Sequence, residues 1–267
     1  MTNDLPIANM NAPVIEMTGV SVGSFKDPAV TVLEDVNWRV EPCDSWLVAG
    51  MQGSGKSDFM AMAGGLMPPL GGSYRLFGHA MPIYEEALLM ERLRLGLVFD
   101  GGHLLHQLTV AENLALPLQY HHNVNRDEAA NRVAAVLEWT GLDSWAGSIS
   151  GALGRHWQKR VGLARALMLE PEVLLLDNPL GGMDLRHTMW WLDFLDQLSS
   201  GGGLLQGRRM TLVATGEDLR PWQNRAGNFA VLKQGHLVTL GRGAVLAGHS
   251  EPLVRELLAE RFDGGGK

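Results

Sequence analysis

The sequence predicts an α/β fold with a mostly parallel core sheet. Three observations carry this. Short runs such as Trp46–Ala49 and Val173–Leu176 have no polar break, as expected for strands covered on both faces. Helical stretches alternate with such runs along the chain. The 267 residues are 46% apolar, enough for a sizeable core.

Val14–Val22 alternates and reads as a strand. Val32–Val40, with Val36 and Trp38, reads as a second. Trp46–Ala49 is a short buried strand that runs straight into a glycine-rich loop, and Asp58–Leu66 continues as a helix. A turn rich in Pro and Gly precedes a strand over Gly71–Phe77. Glu85–Leu95 is expected to be helical and Leu95–Phe99 a buried strand. Residues 109–145 hold two helical stretches, and Gly154–Leu169 is a third. After Val173–Leu176 come a helix over Leu185–Leu198, a strand over Met210–Thr215 and a hairpin-like pair over Phe229–Leu240. Gly201–Gly203 reads as a flexible loop and Gly264–Lys267 as a frayed end. Glu251–Glu260 is amphipathic, with Leu253, Val254, Leu257 and Leu258 on its apolar side. It is expected to pack on its own domain; docking on a twin subunit is the alternative. The organisation expected is an extension over 1–13, one domain over 14–258 and a flexible tail over 259–267. A helical insert spans about 100–165.

Composition excludes some functions. Lys and Arg number 22 against 29 Asp and Glu, a net charge of -7, so nucleic acid is not an expected partner. Cys43 is the single cysteine, which fits a reducing compartment. The first ten residues do not read as a signal peptide. No run approaches the roughly 18 apolar residues of a membrane helix. Any membrane role is therefore expected to come through a partner.

Gly50-Met51-Gln52-Gly53-Ser54-Gly55-Lys56-Ser57 is the most specific feature. Its glycines let the backbone curl so that N–H groups converge on an anion, and the helix behind adds its positive end. Lys56 can reach outer phosphates and the Ser57 hydroxyl can ligate magnesium. The run sits between a strand and a helix, where a phosphate-binding loop must sit. It predicts ATP and Mg²⁺ as cofactors. Asp177, at the end of Val173–Leu176, places a carboxylate that can support the metal.

Over residues 14–258 the chain resembles the nucleotide-binding subunits of ABC transporters. Gly50–Ser57 is similar to their Walker A and Asp177 to the end of their Walker B. Val161–Leu167 resembles the helix after their signature, Pro179–Asp184 their D-loop, and Val231–Val238 their closing strand pair. The resemblance implies an ABC-type P-loop NTPase domain with an antiparallel β subdomain. It also implies membrane permease subunits, a second ATP-binding subunit in a homo- or heterodimer, and a peripheral place on the inner face of the cytoplasmic membrane. Phe25 is the candidate to stack on adenine, or else an ordinary core phenylalanine. Leu108–Leu118 and Ser250–Leu258 are similar to the corresponding segments of Mla/Mce-type lipid-transport ATPases.

Four positions depart from the family pattern. Asn178 stands where a Glu polarises the attacking water, and a neutral amide cannot accept the proton. Glu217 stands at the switch histidine, an anion facing an anion. Asp100 replaces the Q-loop glutamine and remains a hard oxygen donor, which makes it a candidate metal ligand with Ser57 and Asp177. The signature reads Leu153-Gly154-Arg155-His156-Trp157, or, with an insertion, Ile149-Ser150-Gly151-Ala152. Together these changes predict ATP binding with weak or absent hydrolysis. Trp190 and Trp191 are expected in core and interface packing. His103, His106, His121 and His122 are expected to be solvated loop residues.

Overall fold

The computed structural model describes residues 12–27, 29–81, 88–122, 124–242 and 252–258. The expected extension, the tail after 258 and the start of the Glu85–Leu95 helix lie mostly outside these residues.

Two sheets organise the chain. The first is antiparallel, in the order β2-β1-β4-β5, from Thr31–Val40, Ile15–Gly23, Gly71–Leu76 and His79–Ala80. The short β5 escapes the sequence pattern because only two residues pair, across a turn at Phe77 and Gly78 that both hold positive φ. The second sheet has the order β10-β9-β3-β8-β7-β6. Here β3 is Ser45–Ala49, β6 Leu95–Val98, β7 Val173–Leu176, β8 Thr211–Gly216 and β9 Asn228–Lys233. These five run parallel, and β10, His236–Arg242, closes the edge antiparallel to β9. All four residues of β7 are buried, which is the physical meaning of its unbroken apolar run.

Helix α1, Lys56–Ala63, starts earlier and stops earlier than the sequence pattern suggests. Gly55 caps it, and Gly64 and Gly65 end it, the latter at φ 72°. Among the described residues helix α2 covers Leu89–Leu93, and it ends where the chain turns at Arg94 to enter β6. The helical region holds α3, Val110–His121, α4, Arg126–Trp139, and α5, Arg155–Leu167. Both α3 and α4 open on capping boxes, Thr109 with Glu112 and Asn125 with Glu128. Helix α6, Leu185–Ser200, is capped by the Asp184 side chain.

Gly201–Gly203 is packed, contrary to the flexible loop expected. Gly201 is the left-handed cap of α6 at φ 81°, and Gly203 lies so close to the Trp139 indole that a Cβ would overlap it. Helix α7, Pro252–Leu258, packs on its own chain. Val254 and Leu257 are buried, and Leu257 accepts a hydrogen bond from the Leu219 N–H at 3.2 Å. Trp191 is buried; Trp190 stacks on Phe194 at 4.9 Å.

Candidate functional site

The parallel register brings four chain segments to one edge of the large sheet. Ala49 pairs with Gly216, and Val98 and Ala214 each pair with Leu176. The residues just beyond the strands' carboxyl ends are therefore neighbours: Gly50, Phe99 and Asp100, Asp177 and Asn178, and Glu217. Ligands of open α/β sheets bind at this end.

The loop after β3 is shaped by its glycines. Gly53 and Gly55 hold φ of 79° and 90°, and a Cβ on Gly55 would sit 2.5 Å from Val32 Cγ1. A Cβ on Gly50 would overlap the Ser54 hydroxyl. That hydroxyl is buried without a hydrogen-bond partner, unusual for a polar atom unless a ligand meets it. Lys56 is buried, and its Nζ donates to the carbonyls of Gly50 at 2.7 Å and Met51 at 2.8 Å. Ser57 is exposed, and Gln52 and Gly53 form the outer face of the loop.

Asp177 is buried, and its Oδ1 accepts the Thr215 hydroxyl at 2.9 Å. Thr215 Oγ1 in turn accepts the Asn178 N–H at 2.9 Å. One hydroxyl thus orients both residues at the end of β7. Asn178 holds φ 48°, a conformation asparagine tolerates better than most residues, and its amide lies against Gly181, where a Cβ would overlap it.

Phe25 is not a core phenylalanine. It is 59% exposed, and its backbone N–H donates to Asp58 on α1 at 2.7 Å. It shares a cleft of about 180 Å³ with Ser57, Asp100, Asp177 and the stacked pair Phe99–His103. On the other side of the loop a cleft of about 410 Å³ is lined by Gln52, Asn178, Gly181 and Glu217.

The structure adds a residue that sequence reasoning missed. Lys159 is 2% exposed, and its Nζ donates to the carbonyls of Asn178 at 2.8 Å and Gly181 at 2.9 Å. It also pairs with Asp100 Oδ1 at 2.7 Å, while Arg155 reaches Asp100 Oδ2 at 3.3 Å. Asp100 thus lines the cleft with Ser57 and Asp177, yet both its oxygens already face cations. The same loop is drawn onto α5 a second time. Arg165 donates to the carbonyls of Gly102 at 3.1 Å and His103 at 2.9 Å. Gly102 and Gly162 meet without side chains, a Cβ on Gly162 falling 2.8 Å from Gly102 Cα. Gly162 inside a helix was the one sequence signal of this close approach.

Helix α5 begins at Arg155 with Gly154 as its cap, so Leu153–Trp157 forms its N-terminal turn. Ser150 lies in a separate turn, buried, donating to the Leu105 carbonyl at 3.0 Å and accepting from Asn113 at 3.1 Å. Within this chain Arg155 turns toward Asp100. The His156 and His187 rings stand 4.0 Å apart, with Trp157 edge-on to His187. Partial burial, with a smaller contribution from His187, pushes the His156 pKa down; Asp184 opposes this. The Arg160 guanidinium lies 3.4 Å from the Trp190 ring centroid, and burial lowers its pKa to about 10.

The family profile described as ABC transporter matches residues 33–181, more than half of the chain. The chain belongs to the ABC transporter family. This family binds ATP with Mg²⁺. Among similar proteins, the macrolide export ATP-binding/permease protein MacB of Sodalis glossinidius is 35% identical over 199 residues, 73% of this chain and 30% of MacB. The methionine import ATP-binding protein MetN of Bifidobacterium longum is 29% identical over 234 residues, 87% of this chain and 57% of MetN. The chain thus spans well under two thirds of these relatives. The dimeric bacterial ABC transporter cassette MJ0796 superposes with a TM-score of 0.73 at 25% identity, over 84% of this chain and 96% of that one. The cbiO1 protein of Clostridium perfringens shares the fold, with a TM-score of 0.74 at 20% identity over 92% of this chain and 94% of cbiO1. No helix among the described residues is long and apolar enough to cross a membrane.

Proposed function

We propose that the chain is an ATP-binding subunit of a membrane transporter that holds Mg-ATP at Gly50–Ser57 and Asp177 and cleaves it poorly. The observation that carries this reading is one juxtaposition. A glycine cradle with a buried lysine and an unpartnered Ser54 hydroxyl stands beside Asn178 and Glu217.

In this reading the loop's N–H groups and Lys56 take the phosphates, and Phe25 stacks on the base. Ser57 and the Thr215-oriented Asp177 hold the metal, which when bound neutralises charge on the phosphate oxygens. Asp100 joins them only by leaving Lys159 or Arg155. Asn178 takes no proton from water at neutral pH, and losing a positioned base typically lowers turnover about 10²- to 10⁴-fold. ATP then serves mainly to hold two ATP-binding subunits together, with Leu153–Trp157 facing the second subunit. Residues 14–258 form one cassette, with the helical insert at about 100–165.

Permease subunits are the further partners, and they place the chain at the inner face of the cytoplasmic membrane. A lipid or other hydrophobic cargo is supported by the likeness of Leu108–Leu118 to lipid-transport ATPases. A second reading, a regulatory ATP-binding protein without transport, draws on the same altered Asn178 and Glu217. Capture of the tagged chain from solubilised membranes in Mg-ATP separates the two. Permease chains are expected with the wild type and lost with Leu105→Asp, since Leu105 is exposed at the edge of the helical region. Capture that returns no membrane protein contradicts the transport reading.

A further inference from the structure

Glu217 places a carboxylate on the phosphate-loop lysine. Its Oε1 lies 3.5 Å from Lys56 Nζ, with the lysine side chain 9% exposed and the glutamate 33%. The placement is held by backbone rather than by a wandering side chain. Gly216 pairs with Ala49, and the Gly50 N–H donates to the Gly216 carbonyl at 3.1 Å. The residue after Gly216 is therefore pinned beside the first residue of the loop.

Arg155 and Lys159 pair with Asp100, and Arg220 pairs with Asp218. Asp177 adds a second carboxylate, this one buried, at the same sheet edge. Lys56 is a cation of the cradle, and Glu217 answers part of its charge.

A phosphate-loop lysine reaches the β- and γ-phosphates. A carboxylate beside it therefore stands at the terminal-phosphate end of the site. A triphosphate brings more negative charge to that end than a diphosphate does. One extra charge at close range changes a dissociation constant by about fivefold even in well-solvated surroundings.

We propose that Glu217 sets the nucleotide preference of this site, disfavouring the triphosphate so that Mg-ADP binds at least as tightly as Mg-ATP. This rests on the reading of Gly50–Ser57 as the nucleotide loop. ATP must displace Glu217 from Lys56, whereas a diphosphate leaves the carboxylate room in the cleft it shares with Gln52 and Asn178.

Calorimetric titration of Mg-ADP and Mg-ATP into the purified chain tests this, with Glu217→Gln, Glu217→Ala and Lys56→Ala beside it. Both Glu217 variants are expected to tighten Mg-ATP about fivefold or more and Mg-ADP less than about twofold. A wild type that prefers ATP, or a ratio unchanged in both variants, overturns the proposal. Failure of either nucleotide to bind any Glu217 form, or binding untouched by Lys56→Ala, overturns the assignment of the loop instead.

Discussion

Replacing Lys159 by methionine removes a cation with three partners and leaves the volume nearly unchanged. The Gly181 carbonyl loses its Lys159 donor at 2.9 Å, the Asn178 carbonyl keeps only the Gly181 N–H at 3.1 Å, and Asp100 loses its partner at 2.7 Å. An unsatisfied buried acceptor costs about 1–3 kcal/mol, and breaking a buried ion pair about 3–5 kcal/mol. Asp100 keeps Arg155 and is 31% exposed on its side chain, so its share falls at the low end. The expected loss is about 4 kcal/mol, or roughly 8–16 °C in melting temperature for a chain of this size. Urea unfolding followed by circular dichroism measures it. A double-mutant cycle with Asp100→Asn should return a coupling of at least about 1 kcal/mol that persists at high salt, because the lysine is shielded from solvent. A loss below about 1 kcal/mol, or additive single effects, would refute the role given to this lysine.

Three other outcomes follow from the geometry. Thr215→Val removes the hydroxyl that bridges Asp177 and Asn178; it should cost about 1–3 kcal/mol and weaken Mg-nucleotide binding, while Thr215→Ser keeps both. Gly102→Ala forces a Cβ onto the Gln158 carbonyl at φ 81°, and a loss of at least about 2 kcal/mol is expected by urea unfolding. The His156 pKa is lowered in the folded chain, so the folded state disfavours its proton. Stability should fall as pH drops through the ordinary histidine range, and His156→Gln should flatten that slope in unfolding curves between pH 5 and 7.

The large sheet was legible because buried parallel strands carry unbroken apolar runs, and Val173–Leu176 needed nothing else. The phosphate loop was legible because its spacing is itself the mechanism. The surroundings were not. Lys159 sits in a run of basic and polar residues on α5 and looks like a solvated side chain. It is buried only because the turn after β7, about twenty residues on, folds over it. Asp100 reads as a metal ligand until α5 brings two cations to it. Phe25 could not be placed from sequence, since an isolated phenylalanine has no pattern to show which way it faces. Ser150 carries the serine of an alternative signature, yet its hydroxyl belongs to the network around Asn113.

Under the proposed function the loop binds nucleotide while its neighbours no longer support cleavage. Nucleotide affinity and phosphate release measured on the same purified chain, beside Lys56→Ala, test it most directly. Mg-nucleotide binding that Lys56→Ala abolishes is expected, with turnover about 10²-fold or more below that of an intact cassette. Turnover at a rate ordinary for the family, abolished by Lys56→Ala, would contradict it.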